Sequence, residues 1–396
     1  MDLIDIYTRK EKVDFLQVYN RLPIIIKSAK GCVIVDEDGK EYRDFIAGIA
    51  VNVLGHSHPS VVKAATEQIT KYMHVSNYFY QEVQIKFVAK LKQLSGYDRV
   101  FLANSGTETI EAALKLCRAW GYEKDKTEII AFNNGFHGRT YGALSLMNKE
   151  NYKKNMGPYL PNITTIDYND IDELQKAVNE KTAGIFIEFI QGEGGMQSVT
   201  SEFIHKINEL KTKFNFLVIA DEVQTGVGRT GKFLASEYWN IKPDITTIAK
   251  GIGGGLPLGV LLASKIFANV WSKGQHGSTF GGNPVACAAG YAVLEELDRG
   301  VLRKSETVGK FFHEQLALLH EEFPNKVLEV RGKGLMIGLE LDFDASFLAH
   351  KLLNEQNIIV NSTASATNVL RILPPLIITK EDVEYFISAI KHSLEG

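Results

Sequence analysis

Residues 216–263 read FLVIADEVQTGVGRTGKFLASEYWNIKPDITTIAKGIGGGLPLGVLLA, and this stretch decides the fold. Its first apolar run, Phe216 to Ala220, stops at Asp221-Glu222. A second, Ile245 to Ala249, stops at Lys250, and a third, Leu258 to Ala263, follows a glycine-rich turn. Short apolar runs bounded by turn residues read as buried strands. Working outward, the same texture recurs at Arg99–Ala103, Glu128–Phe132 and Ala183–Glu188, with helical stretches between the runs. That alternation predicts an α/β fold with a large, mostly parallel sheet covered by helices on both faces. In such sheets ligands sit beyond the carboxyl ends of the strands.

The flanks have a different texture. GCVIVDEDGKEYRDF, residues 31–45, places alternating apolar residues around Asp38-Gly39 and predicts a hairpin. Pro59 stands where a first helical residue belongs, ahead of VVKAATEQITKYM. Beyond Pro284 one long helical stretch is expected through to Phe323, then strand-like VLEVRGKGLMIGLEL (327–341) and a final helix from Glu381. The expected organisation is an N-terminal arm and hairpin (1–58) that belongs with a smaller α+β domain (284–396), around a large domain (59–283).

With 45% hydrophobic and 23% charged residues, the 396-residue chain has ample material for a large core. A net charge of −3 from interspersed residues, with no block of one sign, argues against a nucleic-acid partner. No apolar run approaches the roughly 18 to 20 residues of a membrane span. The opening MDLIDIYTRKEKVDF is too charged for a signal peptide, so a cytoplasmic location is expected. Cys32, Cys117 and Cys287 are odd in number and lack CxxC spacing, which suggests reduced thiols and no metal.

A carboxylate at the end of a buried strand is costly unless something cationic or protic meets it. For Asp221 a protonated pyridine nitrogen is one such partner; a helix N-cap or an internal ion pair is another. Lys250 lies 29 residues on, about one strand-crossover-strand unit, so both side chains can emerge at one sheet edge. A lysine desolvated there can lose its proton and form a Schiff base, although a lysine snorkelling from a strand end has the same local signature. NSGTETIEAALKL, residues 104–116, follows a strand and opens a helix, so Ser105, Gly106 and Thr107 form an anion site. Ser105 with Glu108 also matches a capping box. HGSTFGGNP (276–284) offers the Ser278 and Thr279 hydroxyls as a second phosphate candidate. FNNGFHGRTYGAL (132–144) sets Phe136, His137 and Arg139 in a loop after a strand, where the ring can stack on a planar ligand and the guanidinium can clamp a carboxylate. GHSHP fits a loop entering a helix better than a metal pair, because no third ligand has sensible spacing.

The ordered set NSGTE, NGFHGRT, FIQGEGG, IADEVQTGVGRTG, TIAKGIGGGLPLG, HGSTFGGNP and LRILPPL resembles the class III, ornithine-type aminotransferases across nearly the whole chain. The resemblance implies a fold type I transferase dependent on pyridoxal 5'-phosphate (PLP), and a homodimer with active sites at the subunit boundary. It makes Lys250 the lysine that joins the cofactor and shuttles the proton, and Asp221 the partner of the pyridine nitrogen. Val223 would pack on the ring, Phe136 on its other face, and Gln224 beside the phenolic oxygen. Gly106 and Thr107 would hold the phosphate, with Thr279 from the other subunit. Arg139, with Ser278 nearby, would take the donor's carboxylate, and Arg371 a carboxylate of 2-oxoglutarate, masked by Glu193 while the donor reacts. This chain has Phe189 where the family usually shows Pro, and Thr109-Ile110 in place of Ala-Asn. Within the family, FHGRT is similar to the acetylornithine enzymes, since the ornithine enzymes tend to carry a bulkier aromatic in place of His137. That implies N-acetylornithine as donor, in arginine biosynthesis, by a ping-pong mechanism. Ornithine, succinylornithine or 4-aminobutyrate as donors, or an aminomutase on the same scaffold, are the alternatives. A noncatalytic phosphate-ligand binder using the two glycine loops is the alternative outside enzymes.

Overall fold

Buried runs rich in β-branched residues pair because an unpaired backbone amide in an apolar interior is expensive. The computed structural model of the protein describes residues 3–395. Seven strands form the central sheet in the order Arg99–Ala103, Gly259–Ala263, Ile245–Ile248, Leu217–Asp221, Thr182–Ile187, Glu128–Phe132, Ile163–Ile166. The last five run parallel, and Gly259–Ala263 is antiparallel to both of its neighbours. Every residue of Thr182–Ile187, Leu217–Asp221, Ile245–Ile248 and Gly259–Ala263 is buried, as expected of strands covered on both faces.

Alternation sorts these side chains into two cores. Ile129, Ala131, Leu217 and Ile219 pack with Ile110, Leu114 and Cys117 of the Gly106–Tyr122 helix. Ile130, Phe132, Val218 and Ala220 pack on the other face with Phe203 and Ile207 of the Ser201–Phe214 helix. Each fully enclosed large apolar side chain contributes roughly 1.5–3 kcal/mol by leaving water. Cys117 and Cys287 are buried free thiols, and burial raises both to about 12. The edge strand Ile163–Ile166 escapes the reading of the sequence although it has the same ITTI as the buried Ile245–Ile248; at the edge of the sheet it is only half-buried.

Register positions the site. Asp221 pairs with Thr247 in the parallel ladder, so Lys250, three residues further along, leaves the sheet from the same edge. The connection between the two strands holds only a short 3-10 turn, Ala235–Trp239. It is fixed by a buried carboxylate: Glu222 accepts from the backbone N–H of Ala235 (2.6 Å) and Ser236 (2.9 Å) and from the Thr225 hydroxyl (2.9 Å).

The hairpin of Val33–Asp36 and Glu41–Asp44 forms, flanked by Ile26–Lys30, and Glu41–Asp44 pairs in parallel with Ile358–Ile359. A second sheet, in the order Val327–Lys333, Met336–Leu341, Val369–Ile372, Asn361–Ser362, sets Arg371 between Gly338 and Asn361. The pairing of Glu41–Asp44 with Ile358–Ile359 joins the N-terminal hairpin to the C-terminal part of the chain. The long helical stretch expected from Pro284 to Phe323 is broken. Pro284–Glu296 ends in a π turn, Leu297–Val301, and Leu302–Glu322 follows; Gly300, at φ 137, takes a conformation that other residues resist. The capping box also differs: Ser105 Oγ accepts from Glu108 N (3.3 Å), but the Glu108 carboxylate turns to the N–H of Asn104 (2.6 Å).

Gly259 lies where the sheet meets the Gly106–Tyr122 helix. A Cβ there would stand 2.5 Å from the Ser105 carbonyl oxygen and 2.9 Å from Thr109 Cγ2. Gly259→Ala is expected to cost about 1–3 kcal/mol by overpacking, read as a lower thermal midpoint together with weaker retention of a phosphate ligand at the helix start. An unchanged midpoint and unchanged retention would mean the helix is free to shift.

Candidate active site

A cavity of about 430 Å3 opens at the carboxyl edge of the sheet, lined by Gly106, Thr107, Phe136, Arg139, Glu193, Asp221, Val223, Gln224 and Lys250 among others. Residues drawn from five separate motifs thus meet in one space. Arg371 does not line it but reaches it through Glu193. Ser278 stands behind Asn104, whose side-chain N–H donates to its hydroxyl (3.2 Å), and Thr279 is exposed and outside the cavity.

Asp221 is 4% exposed, so its carboxylate needs partners. Oδ2 lies 2.8 Å from His137 Nδ1, and Oδ1 accepts from Val223 N at 3.1 Å. Burial opposes a charge on His137, but the hydrogen bond and charge of Asp221, with Glu188 behind, outweigh it and raise the imidazole above its usual range. Glu188 accepts from Phe136 N (2.9 Å); burial and the charge of Asp221 push it upward. Glu222, beside Asp221 in sequence, is spent on the crossover described above and faces away from this chemistry. The His137 imidazole is turned onto Asp221 and holds that carboxylate in place.

Lys250 follows the strand with φ 48, a left-handed backbone that β-carbon residues adopt only when held there. Desolvation and the positive charge of Arg371 lower its amine to about 8, against the opposing pull of Glu193, Asp221 and Glu188. Across the cavity, the first amides of the Gly106–Tyr122 helix have no carbonyl a turn earlier to accept from them. A Cβ on Gly106 would stand 2.7 Å from Val223 Cγ1, so only glycine lets the helix start approach the valine. The Thr107 hydroxyl is 2.8 Å from that of Thr140. Gln224 Oε1 is buried without a hydrogen-bond partner among the described residues, which marks a place for a ligand's polar group.

The two arginines are held differently. Arg371, 3% exposed, donates through Nη1 to Glu193 Oε1 and through Nε to Asn361 Oδ1 (3.1 Å). Burial works against the charge on Glu193, but Arg371 more than offsets it and lowers the carboxyl; the Ala364 N–H adds a bond to Oε2 (3.1 Å). Arg139 has no carboxylate partner among the described residues and lies over the rings of Tyr152 and Phe136. His137 as a partner of Asp221, and Glu188 and Tyr152 altogether, are absent from the sequence reading. Glu188 ends a buried strand just as Asp221 does and was open to the same argument; nothing local marks Tyr152. The departures at Phe189 and Thr109 are buried packing positions outside the cavity, Phe189 against Trp239 at 5.4 Å and Thr109 with its hydroxyl on the Gly106 carbonyl (2.6 Å).

The family profile described as Aminotransferase class-III matches residues 16–394. Acetylornithine aminotransferase of Aquifex aeolicus is 44% identical over 379 residues, covering 95% of this chain and 98% of that protein. Among solved structures, acetylornithine aminotransferase from Elizabethkingia anophelis superposes with a TM-score of 0.88 at 34% identity, covering 100% of both chains. An ornithine aminotransferase from Toxoplasma gondii with PLP at its active site gives 0.92 at 33% identity, covering 98% of this chain and 93% of that one. The cavity fits that cofactor. It holds an anion site at a helix start, a buried carboxylate for a ring nitrogen, an unpartnered amide oxygen and an amine of lowered basicity.

A lysine held near 8 is mostly neutral above that pH and mostly charged below it. In the cofactor-free protein, acetylation of Lys250 by acetic anhydride, followed peptide by peptide in a mass spectrometer, should rise through about pH 8. Surface lysines should rise more than two units later, around 10.4. A Lys250 profile that tracks the surface lysines would contradict the described environment.

Proposed function

The chain belongs to the class-III aminotransferases, and on that premise we propose that it moves the distal amino group of N-acetylornithine to 2-oxoglutarate, in two half-reactions through PLP. The enzyme class and its cofactor follow from the family; the donor and the part each residue plays are our reading. The observation that carries it is the contrast between two arginines: Arg139 lines the cavity unmasked, and Arg371 stands behind Glu193, the lining carboxylate that masks it. The 44% identity to an acetylornithine enzyme, against 33% to an ornithine one, supports N-acetylornithine over ornithine as donor.

When bound, the cofactor carries the amino group between substrates, and its protonated ring draws electrons from the carbon that loses a proton. Lys250 Nζ is the covalent anchor and then the base that takes that proton and returns it, a task suited to an amine near 8. Asp221, held by His137, keeps the ring nitrogen protonated. Gly106 and Thr107 hold the phosphate with helix amides, Val223 and Phe136 cover the two ring faces, and Gln224 meets the phenolic oxygen. Arg139 takes the donor's carboxylate, with Ser278 behind it. Arg371 takes a carboxylate of 2-oxoglutarate once Glu193 leaves it.

Thr279 completes the phosphate site from a second copy of the chain. Its exposure supports this, as does an exposed aromatic band, Tyr78, Tyr80 and Phe280, tied to the same loop by Asn77, whose amide donates to the carbonyls of Ser278 (3.1 Å) and Gly281 (3.0 Å). A homodimer in the cytoplasm belongs to the same proposal.

An amino-donor panel with 2-oxoglutarate as acceptor tests the substrate: N-acetylornithine should lead ornithine, succinylornithine and 4-aminobutyrate in kcat/KM, and a lead by any other donor would overturn the assignment. Lys250→Ala should lose turnover by many orders of magnitude while keeping some cofactor. Arg371→Ala should weaken the 2-oxoglutarate half-reaction selectively, by roughly 1.5–3 kcal/mol or about 10- to 150-fold. Glu193→Ala should erode discrimination among donors by leaving Arg371 open. Equal damage to both half-reactions in Arg371→Ala would defeat the division of labour.

A further inference from the structure

An unmasked arginine has a problem that a masked one lacks. Its long side chain carries about 2 kcal/mol of rotamer entropy, and freezing it at the moment of binding weakens the grip on a carboxylate. A carboxylate partner would fix it but would also occupy its donors and cancel its charge. An aromatic ring fixes the guanidinium through its face and leaves all five N–H donors free.

The surroundings of Arg139 follow this second course. Its guanidinium carbon is 3.7 Å from the centroid of the Tyr152 ring, well inside cation–π range, and 5.2 Å from that of Phe136. The two rings meet edge to face, centroids 6.0 Å apart at 88°, and make a corner for the guanidinium. The segment under Tyr152 is itself held. Tyr152 N donates to the Lys149 carbonyl (3.1 Å), Lys153 Nζ to the Met147 carbonyl (2.8 Å), and the Tyr159 hydroxyl to the Lys153 carbonyl (2.6 Å). Lys149 Nζ, 5.0 Å over the same ring, donates to the Ala364 carbonyl, whose residue also gives its N–H to Glu193. The Tyr152 hydroxyl has no hydrogen-bond partner among the described residues, so the face of the ring is what serves.

We infer that Tyr152 is a positioning and specificity residue for the amino donor, holding the charged Arg139 poised and not neutralised by any anionic partner, so that the donor's carboxylate is recognised there and not at Arg371. The inference rests on the reading of Arg139 as the donor's carboxylate clamp. Tyr152 does not line the cavity; it meets the cofactor site only at the edge of Phe136, and it acts on the donor through Arg139.

Equilibrium binding separates the possibilities without turnover. N-acetyl-L-norvaline has the donor's carboxylate, acyl group and carbon chain but no terminal amine, and glutarate stands for the acceptor. Each is titrated calorimetrically into the holoenzyme. Tyr152→Leu should weaken N-acetyl-L-norvaline about 3- to 30-fold, the fold-change of a lost cation–π contact. Glutarate should stay within about 2-fold, since Arg371 is untouched. Tyr152→Phe should bind both ligands as the wild type does, because the ring face remains. Single-turnover donor and acceptor half-reactions should show the same split. If Arg139→Ala binds N-acetyl-L-norvaline normally, the clamp reading falls. If Arg139→Ala loses it and Tyr152→Leu does not, the clamp stands and the positioning inference is overturned. Tyr152→Leu weakening glutarate equally, or Tyr152→Phe matching Tyr152→Leu, would also overturn it.

Discussion

The buried carboxylate of Asp221 is the constraint on which the site is built. A charge at 4% exposure is tolerable only with partners, and the fold supplies them from three directions. His137 comes from the loop after Glu128–Phe132, Val223 N from the turn that follows Asp221, and Thr247 from the adjacent strand, whose hydroxyl lies 3.5 Å away. The parallel ladder does the rest: it aligns Asp221 with Thr247 and so delivers Lys250 to the same edge. Two consecutive carboxylates meet opposite fates there. Asp221 keeps a face toward the cavity, and Glu222 disappears into the crossover, where amides and a hydroxyl saturate it.

The cavity handles its two arginines by different physics. Arg371 is neutralised in place by Glu193, which costs little because both groups are already desolvated and each satisfies the other. Arg139 is exposed enough to be hydrated, and rings support it where an anion would block it. On the proposed reading, a dicarboxylic acceptor competes with Glu193, whereas the donor meets Arg139 directly. Selectivity between two substrates in one pocket can therefore come from the state of a single ion pair.

How much of this was legible in the sequence depends on whether the signal is local. Asp221 and Lys250 end apolar runs, and the helix start at Gly106 follows a strand, so each stands out within a dozen residues. The central sheet was readable for the same reason, apart from Ile163–Ile166, whose ITTI matches that of Ile245–Ile248 but lies half-buried at the edge with no chemically marked residue at its end, and the antiparallel sense of Gly259–Ala263, which a linear pattern does not encode. The break at Gly300 was masked because DRG continues a helical rhythm on both sides. Tyr152 could not be found at all. Its partner Arg139 is thirteen residues away in a different element, and no periodicity connects a ring on a four-residue helix to a guanidinium in a loop. The family resemblance, by contrast, supplied Glu193 with Arg371, a pairing across 178 residues that local patterns do not reveal.

The same ion pair also reaches the reactive amine. Lys250 is lowered chiefly by desolvation and next by the charge of Arg371, while Glu193 works in the opposite sense. With Glu193 seated on Arg371, the two charges act on Lys250 in opposite senses. An arginine stripped of that mask would press harder on the amine, unless an incoming carboxylate restored the balance. An anionic acceptor does so by construction, since it brings to Arg371 the charge that Glu193 takes away. On the proposed reading, the pair that sorts substrates by their carboxylates also limits how far the charge of Arg371 bears on Lys250 in either half of the reaction.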